Sequence, residues 1–429
     1  MHASATTPPP TNPHLQKGLV AAIVVAALGY FVDIYDLILF GIVRVDSLRG
    51  LGYTDPAAIE RHGQLLLDVQ MLGLLLGGVL WGILGDRRGR LTVLFGSIVL
   101  YSVANVLNGA VENLTQYAVL RFVAGVGLAG ELGAGVTLVS EVMGRTRRGV
   151  GTTIIASFGL LGAVVASLVG GRDWGLAIAN WRVAYYVGGG LGLMLLVLRI
   201  NVFESGLFQQ MKDKAGLRRG DFLSLLRDPI RRVRYLRCIG IGVPIWYMVG
   251  ILIFFSPEIT RELGIRGGEV KASTAILLAY LGLSVGDLCC GLISQWLRSR
   301  KRAVALFMSA ALLCTLAYLL LPGLSVRQVY LLSFLVGFSS GYWAVFVTIG
   351  AEQFGTNLRA TVTTTVPNFV RGSLVPVALL YTTLGTGVGG LGRVTAALVT
   401  GLLVFAVAYL ALWRMDETFG KDLNYFEEI

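Results

Sequence analysis

Charged side chains are scarce in this sequence. Asp, Glu, Lys and Arg make up 14% of its 429 residues, whereas ordinary soluble domains carry about 25%. Hydrophobic residues make up 55%, and they gather into long runs with short charged breaks. About twelve of these runs approach the roughly 20 apolar residues that a spanning helix needs. The sequence therefore predicts an all-α membrane protein with twelve transmembrane helices.

Cysteine and histidine are also rare. The chain has four cysteines and three histidines, and none has the spacing of a metal site. It has no Gly-x-x-x-x-Gly-Lys-Ser/Thr loop, which argues against ATP-driven pumping. We predict no metal, no cofactor and no enzymatic activity. Because the histidines lie outside every predicted span, carboxylates must carry any proton that crosses the membrane.

The positive charges outnumber the negative ones, with a formal net charge of +11. They cluster in alternate loops between predicted spans, which is the positive-inside pattern of membrane proteins rather than the footprint of nucleic-acid binding. This pattern predicts a multi-pass protein of the cell membrane with both termini in the cytoplasm. The lipid bilayer is then its main partner, and we expect a monomer that does not bind nucleic acid.

The longest polar break divides the chain into two halves of six predicted spans. Residues 1–16 read as a disordered cytoplasmic tail, 17–200 as the first bundle, 201–237 as a cytoplasmic linker, 238–413 as the second bundle and 414–429 as a cytoplasmic tail. The basic linker has a second interpretation, a contact with anionic lipid. The halves also share a pattern, since Glu141 and Arg148 have the same spacing as Glu352 and Arg359.

A glycine-rich helix end runs into a basic turn at Gly82-Ile83-Leu84-Gly85-Asp86-Arg87-Arg88-Gly89-Arg90. This stretch resembles the signature loop between the second and third helices of the major facilitator superfamily. The resemblance implies two pseudo-symmetric six-helix bundles that rock about a central substrate site. It also implies an inner gate of charged residues at the cytoplasmic helix ends: Asp86, Arg90, Glu141, Arg148, Glu352 and Arg359.

Two acids stand in the middle of the first predicted span. A charged side chain at this depth costs at least about 2.5 kcal/mol, so it usually has a function. Asp33 and Asp36 are three residues apart, which places them on one helix face, and two close carboxylates favour a proton on one of them. Both can instead simply pair with arginines. Arg121 of the fourth span lies at a similar depth, so we expect it to pair with one of these acids.

The Asp33-Ile34-Tyr35-Asp36 stretch and the fourth-span run from Arg121 to Glu131 resemble the metabolite:proton and phosphate:proton symporters of the superfamily. The resemblance implies proton coupling by Asp33, Asp36, Arg121 and Glu131. The role of Asp68, in the second span, stays open between an outer gate and the proton path.

Arg371 lies near the middle of the eleventh predicted span. Its surroundings resemble the pattern of organic-anion carriers, in which the arginine meets the substrate, and a guanidinium binds carboxylate or phosphate through two hydrogen bonds. An internal ion pair with Asp287 is the alternative, and the two states can alternate during transport. Further candidates for substrate contact, which can equally be packing residues, are Tyr35, Trp246, Tyr247, Tyr342, Trp343 and Asn368.

These features together favour proton-coupled symport of a small organic anion by alternating access. A facilitator or proton antiporter for neutral or cationic solutes, such as sugars or drugs, is the first alternative, because the four acids of the first half would also suit a cation. A non-transporting membrane receptor with the same fold is the second.

Overall fold

The computed structural model describes residues 13–88, 90–131, 148–204, 222–386, 390–421, 425 and 427, and these are helical nearly throughout. The helices of the first half are α1 (Pro13–Gly50), α2 (Pro56–Arg88), α3 (Arg90–Asn108), α4 (Leu114–Leu128), α5 (Arg148–Gly170) and α6 (Asn180–Glu204). The later helices are α7 (Phe222–Arg227), α8 (Pro229–Tyr247), α9 (Ser256–Glu262), α10 (Ala272–Trp296), α11 (Arg300–Leu320), α12 (Val326–Ser339), α13 (Trp343–Gln353), α14 (Thr356–Gly372), α15 (Leu374–Thr386) and α16 (Arg393–Trp413).

Eight helical segments among the described residues are long and apolar enough to cross a membrane, and shorter apolar helices accompany them. Large apolar side chains such as Leu292, Leu313 and Trp413 are exposed on the outside of the bundle, as expected of surfaces that face lipid. The predicted all-α membrane architecture is thereby confirmed. The sides of the molecule are named after the predicted topology, so α1 ends and α2 begins on the outer side.

Glycines allow the central helices to approach one another closely. A Cβ atom at Gly162 of α5 would lie 2.0 Å from the carbonyl oxygen of Phe31 in α1, and one at Gly337 of α12 would lie 1.9 Å from that of Ala279 in α10. Neither position can hold a side chain without moving a backbone. A glycine therefore allows close packing of α1 on α5 and of α10 on α12, as small residues commonly do between membrane helices.

Three of the later spans are interrupted, whereas α1 and α2 continue unbroken past the same depth. After α8, which contains Pro244, the chain forms a π-helix over Met248–Ile253 before α9 begins. A turn at Ser340 and Gly341 separates α12 from α13, and Ser373 separates α14 from α15. Interrupted helices and π-helical turns frequently occur at functional sites of membrane proteins. The three breaks bring Val249, Trp343 and Arg371 into a common region.

The linker region differs in detail from the predicted boundaries. Helix α8 begins at Pro229, nine residues before the predicted span at Cys238, and Asp228 caps it by accepting hydrogen bonds from the N–H groups of Ile230 and Arg231. Its first turns carry the linker arginines, so the helix extends beyond its apolar part. Most of the linker, residues 205–221, lies outside the described residues, and the domain boundaries stay predictions.

Candidate functional site

A small cavity lies between the two halves, where the interrupted helices face α1 and α5. Its walls are aromatic and aliphatic, with one guanidinium among them. Its lining consists of Tyr30, Ile34, Leu160, Ile245, Trp246, Val249, Tyr280, Leu283, Trp343 and Arg371. A concave apolar site with few polar groups is the usual form of a small-molecule site.

An ion pair spans the two halves at this cavity. Nη2 of Arg371, at the end of α14, lies 3.5 Å from Oδ2 of Asp33 in α1, and both side chains are fully buried. The guanidinium carbon of Arg371 also lies 5.7 Å from the ring centroid of Trp343. The pair is thus held from both halves of the protein.

Several polar atoms at the cavity lack a hydrogen-bond partner among the described residues. They are Oδ1 of Asp33, Nε and Nη1 of Arg371, the hydroxyl of Tyr30 and Nε1 of Trp343. The last two lie beside each other without meeting the geometry of a hydrogen bond. Buried polar groups in folded proteins nearly always have partners, so each unpaired group calls for an explanation. Three of these four side chains can donate hydrogen bonds, which suits a solute that carries acceptor oxygens.

Two of the predicted pocket aromatics, Trp246 and Trp343, line the cavity. The hydroxyls of the other three donate to backbone carbonyls: Tyr35 to Ala184 at 3.0 Å, Tyr247 to Ala397 at 2.6 Å and Tyr342 to Ile241 at 3.1 Å. These three side chains fasten neighbouring helices and lie outside the cavity lining. Tyr30 and Tyr280, which the sequence analysis did not select, take their place in the wall.

Asn368 and Asp287 lie beside the cavity rather than in its wall. The Asn368 amide donates to the carbonyl of Ala129 at 2.8 Å, which connects the second half to the first on the inner side of the ion pair. Asp287 accepts from the N–H of Ala344 at 2.7 Å, in the first turn of α13. The acid that pairs with Arg371 is therefore Asp33 and not Asp287. Contact of Asn368 and Asp287 with a solute stays a prediction.

Arg121 has a different partner from the one expected. Its guanidinium donates to Oε1 of Gln70 and lies 5.0 Å from the ring centroid of Phe40. Neither Asp33 nor Asp36 lies within ion-pair distance of it, and both carboxylate oxygens of Asp36 lack a partner among the described residues. The proton-coupling roles of these residues stay predictions, but Asp33 and Asp36 clearly occupy different surroundings.

Glu131 forms a buried ion pair with Arg199 of α6, which the sequence analysis did not single out. Arg199 also donates to the carbonyl of Leu94 at 3.2 Å, and Ser97 donates to Glu131 at 3.4 Å. Gly29 of α1 packs directly on the pair, since a Cβ there would overlap both side chains. The negative charge of Glu131 is therefore balanced by Arg199 within the first half, which is one way to retain a buried carboxylate.

The inner-gate residues are only partly covered by the described residues. Glu141 lies outside them, as do the side chains of Asp86, Arg90 and Arg148. Glu352 lies 3.4 Å from Arg300 and accepts from Thr418 at 2.7 Å. Arg359 donates to the carbonyls of Ala351 at 2.9 Å and Phe354 at 3.3 Å. Gating by these residues stays a prediction.

Two ion pairs join the halves on the outer side. Arg44 of α1 lies 2.5 Å from Glu258 of α9, and Arg393 of α16 lies 2.5 Å from Glu60 of α2. Sequence reasoning missed both pairs, because the partners lie on helices that are distant in sequence. Asp68 is not part of them and accepts from Gln64 of its own helix at 2.8 Å.

An unbroken wall of helices faces an interrupted one across a cavity with a buried ion pair, and interrupted helices commonly form the solute site of membrane transporters. The family model "Major Facilitator Superfamily" matches residues 26–390, and the chain belongs to this superfamily. Its sequence is 27% identical to the probable 4-methylmuconolactone transporter of Cupriavidus pinatubonensis, over 93% of this chain and 91% of the relative. It is 26% identical to the sialic acid transporter NanX of Escherichia coli, over 94% and 93%.

The fold resembles that of solved carriers. The crystal structure of a D-xylose-proton symporter matches with a TM-score of 0.68 and 15% identity, over 94% of this chain and 99% of that one. At this identity the likeness concerns the fold alone. Family and relatives place the protein among multi-pass membrane transporters and not among enzymes.

Proposed function

We propose that this transporter takes up a small organic anion together with a proton. It works as a monomer in the cell membrane with both termini in the cytoplasm, and its two halves alternate between outward and inward opening. The observation that carries the proposal is the Asp33–Arg371 ion pair, which lies between the halves. Two nitrogen atoms of Arg371, Nε and Nη1, have no hydrogen-bond acceptor among the described residues.

Charge balance at the ion pair explains the coupling. With Asp33 ionised, the positive charge of Arg371 is already neutralised, so an added anion would bring an uncompensated charge into a buried site. When Asp33 takes up a proton, the carboxylate of the solute replaces it as the partner of Arg371. The site then has the same net charge as before. Proton and monoanion therefore enter together, in a ratio of one to one.

The cavity wall indicates what kind of anion fits. Tyr30, Trp246, Tyr280 and Trp343 supply aromatic surface beside the guanidinium of Arg371. Such a wall favours a compact acid with an apolar or unsaturated body, because aromatic faces bind such groups well. The relatives that transport a methylmuconolactone and a sialic acid support an organic acid as the solute.

The test is flux into liposomes that contain the purified protein. Aliphatic and aromatic carboxylates, phosphate, sugars and organic amines are offered, and uptake and external pH are followed together. We expect carboxylate uptake with alkalinisation outside, and no response to sugars or amines. Arg371→Gln should weaken anion binding by about 100-fold, or about 3 kcal/mol, whereas Arg231→Gln, away from the cavity, should not.

The outcomes separate the alternatives. Sugar or amine flux that survives in Arg371→Gln would establish a carrier for neutral or cationic solutes instead. Solute binding without net flux would indicate a receptor. Carboxylate uptake with no change of external pH would remove the proton from the proposal and leave an anion facilitator.

A further inference from the structure

A row of polar side chains lies along α3, away from the central cavity. Ser102, Asn105 and Asn108 are three residues apart in turn, and all three are fully buried. The side-chain oxygen and nitrogen atoms of both asparagines, and the hydroxyl of Ser102, have no hydrogen-bond partner among the described residues. Asn108 is the last residue of α3 on the outer side. The row therefore leads from the outer end of the helix into the first half.

The inner part of this row reaches Asp36. The Asn105 amide lies beside the Asp36 carboxylate, but neither group meets the geometry of a hydrogen bond. Helix α6 packs on Asp36 from the side opposite to α3. Its Gly188 lies against Asp36, and Gly192, one turn further along α6, lies against Ser102. Asp36 thus sits among α1, α3 and α6, whereas Asp33 faces the second half.

The surroundings of Asp36 contain few groups that can take part in a titration. They are Asp33 and Tyr35 on its own helix, Tyr101 on α3, Arg121 on α4 and Tyr185 on α6. On the side of α4, the hydroxyls of Tyr117 and Tyr185 lie 2.7 Å apart, and Tyr117 also donates to Ser47 at 3.2 Å. A second polar chain therefore runs from the outer part of α1 towards Arg121, and it is satisfied internally.

Asparagine suits a proton path for a chemical reason. Its amide both donates and accepts hydrogen bonds, so it can hold water, and it does not titrate, so it cannot trap the proton. Unpaired amides are costly inside a protein, and more so within a membrane. A purely structural asparagine would be expected to have a partner in the protein. These two have none among the described residues, although Asn105 lies beside the Asp36 carboxylate.

We infer that Ser102, Asn105 and Asn108 hold the water through which a proton passes from the outer side to the Asp36 carboxylate. The proton comes from the outer solution and moves along the water, and Asp36 becomes a neutral carboxylic acid. The asparagines neither gain nor lose a proton. This inference rests on the proposed function and deepens it: Asp36 is the first group to receive the proton, which then passes to Asp33 and frees Arg371 for the solute.

The experiment measures proton binding to Asp36 directly and needs no solute. The full chain in liposomes receives a sudden acidification of the outer buffer, and the infrared band of the protonated carboxyl group is followed in time. The band is assigned by its loss in Asp36→Asn. In the double variant Asn105→Leu with Asn108→Leu, we expect the band to rise roughly 100-fold more slowly, the scale of a lost positioned proton transfer.

The controls separate a path from a packing role. The double serine variant, Asn105→Ser with Asn108→Ser, keeps hydroxyls that can hold water and should stay near the wild-type rate. Val103→Leu, on the exposed side of α3, should have no effect. The melting temperature of the leucine variant should be unchanged or higher, because it removes unpaired buried amides.

Three results would overturn the inference. The first is a leucine variant that protonates as fast as the wild type, and the second is a wild type in which Asp36 shows no such band. The third is slow protonation in the serine variant with a matching loss of thermal stability. Failure of the proposed symport would appear separately, as carboxylate flux without proton movement in the wild type.

Discussion

Oδ2 of Asp33 lies 3.5 Å from Nη2 of Arg371, and this buried contact joins the first half of the transporter to the second at the central cavity. The pair can form only while the two halves lie close together at this point, because each half supplies one of its residues. Any group that competes for one partner therefore acts on the contact between the halves, and not only on the cavity. In the proposed mechanism, this contact is the point at which solute binding is converted into movement of the halves.

Replacing Asp33 with asparagine should separate binding from coupling. Arg371 would lose its competing carboxylate, so anion affinity should rise about tenfold. Proton-driven accumulation should disappear while exchange of solute across the membrane continues. Both are measured in liposomes, with and without a pH gradient. Asp173→Asn, in an exposed loop, is the control, and accumulation by Asp33→Asn with external alkalinisation would contradict the coupling role.

The Glu131–Arg199 pair offers a test of whether Glu131 carries protons or only balances a charge. Removing one partner leaves a buried charge, so Glu131→Gln and Arg199→Met should each cost about 3–5 kcal/mol of stability. The double variant should recover most of that loss. If its thermal stability and its proton-coupled uptake both return, Glu131 is structural; if only the stability returns, Glu131 takes part in coupling.

The outer ion pairs should control which way the cavity opens. The partly exposed Arg393–Glu60 pair contributes about 1 kcal/mol, so Glu60→Gln should shift the equilibrium towards the outward-open state about fivefold. Glu258→Gln should shift it further, because it leaves the buried Arg44 without its carboxylate. The measure is labelling of Val249→Cys, in a background without native cysteines, by an impermeant maleimide added outside. Arg44→Glu with Glu258→Arg should restore the slow rate.

The matched control for the outer pairs is Glu269→Gln. Glu269 lies 3.6 Å from Arg261, but its side chain is 87% exposed and both residues belong to the second half. Its removal should leave the labelling rate unchanged. Equal labelling in all these variants would show that the outer pairs do not hold the halves together.

The close approach of α1 and α5 can be tested with two alanines. Gly162→Ala would place a methyl group 2.0 Å from the Phe31 carbonyl, so it should lower the melting temperature and impair folding. Gly190→Ala, which meets nothing within 4 Å, should be neutral or slightly stabilising because alanine favours helix by about 1 kcal/mol over glycine. Thermal melts in detergent compare the two. Equal melting temperatures would remove the packing role of Gly162.

The sequence predicted the family and the fold correctly because both depend on local signals. The scarcity of charge marks the spans, and the stretch from Gly82 to Arg90 identifies the superfamily, which the family match confirms. The depth of Asp33 and Arg371 also followed from their positions in apolar runs. Each of these conclusions requires only counting along one helix.

The partners of the buried charges could not be predicted in the same way. Arg121 lies at the right depth for Asp36, yet depth does not fix the direction in which a side chain points, and its contact is Gln70. Tyr35 stands between two acids in the chain, but neighbouring residues do not share a helix face, so it points to Ala184 instead. The outer pairs and the Glu131–Arg199 pair depend on contacts between helices that are distant in sequence.

The interruptions near Val249, Trp343 and Arg371 have a mechanical consequence. One wall of the cavity consists of unbroken helices, while the opposite wall contains three helix breaks. A helix break can adjust to the shape of a solute without moving Asp33 on the unbroken α1. In the proposed mechanism, the residues that bind the proton are therefore separable from the surface that recognises the solute, so that new solutes can be accommodated by changes beside the breaks while proton coupling stays the same.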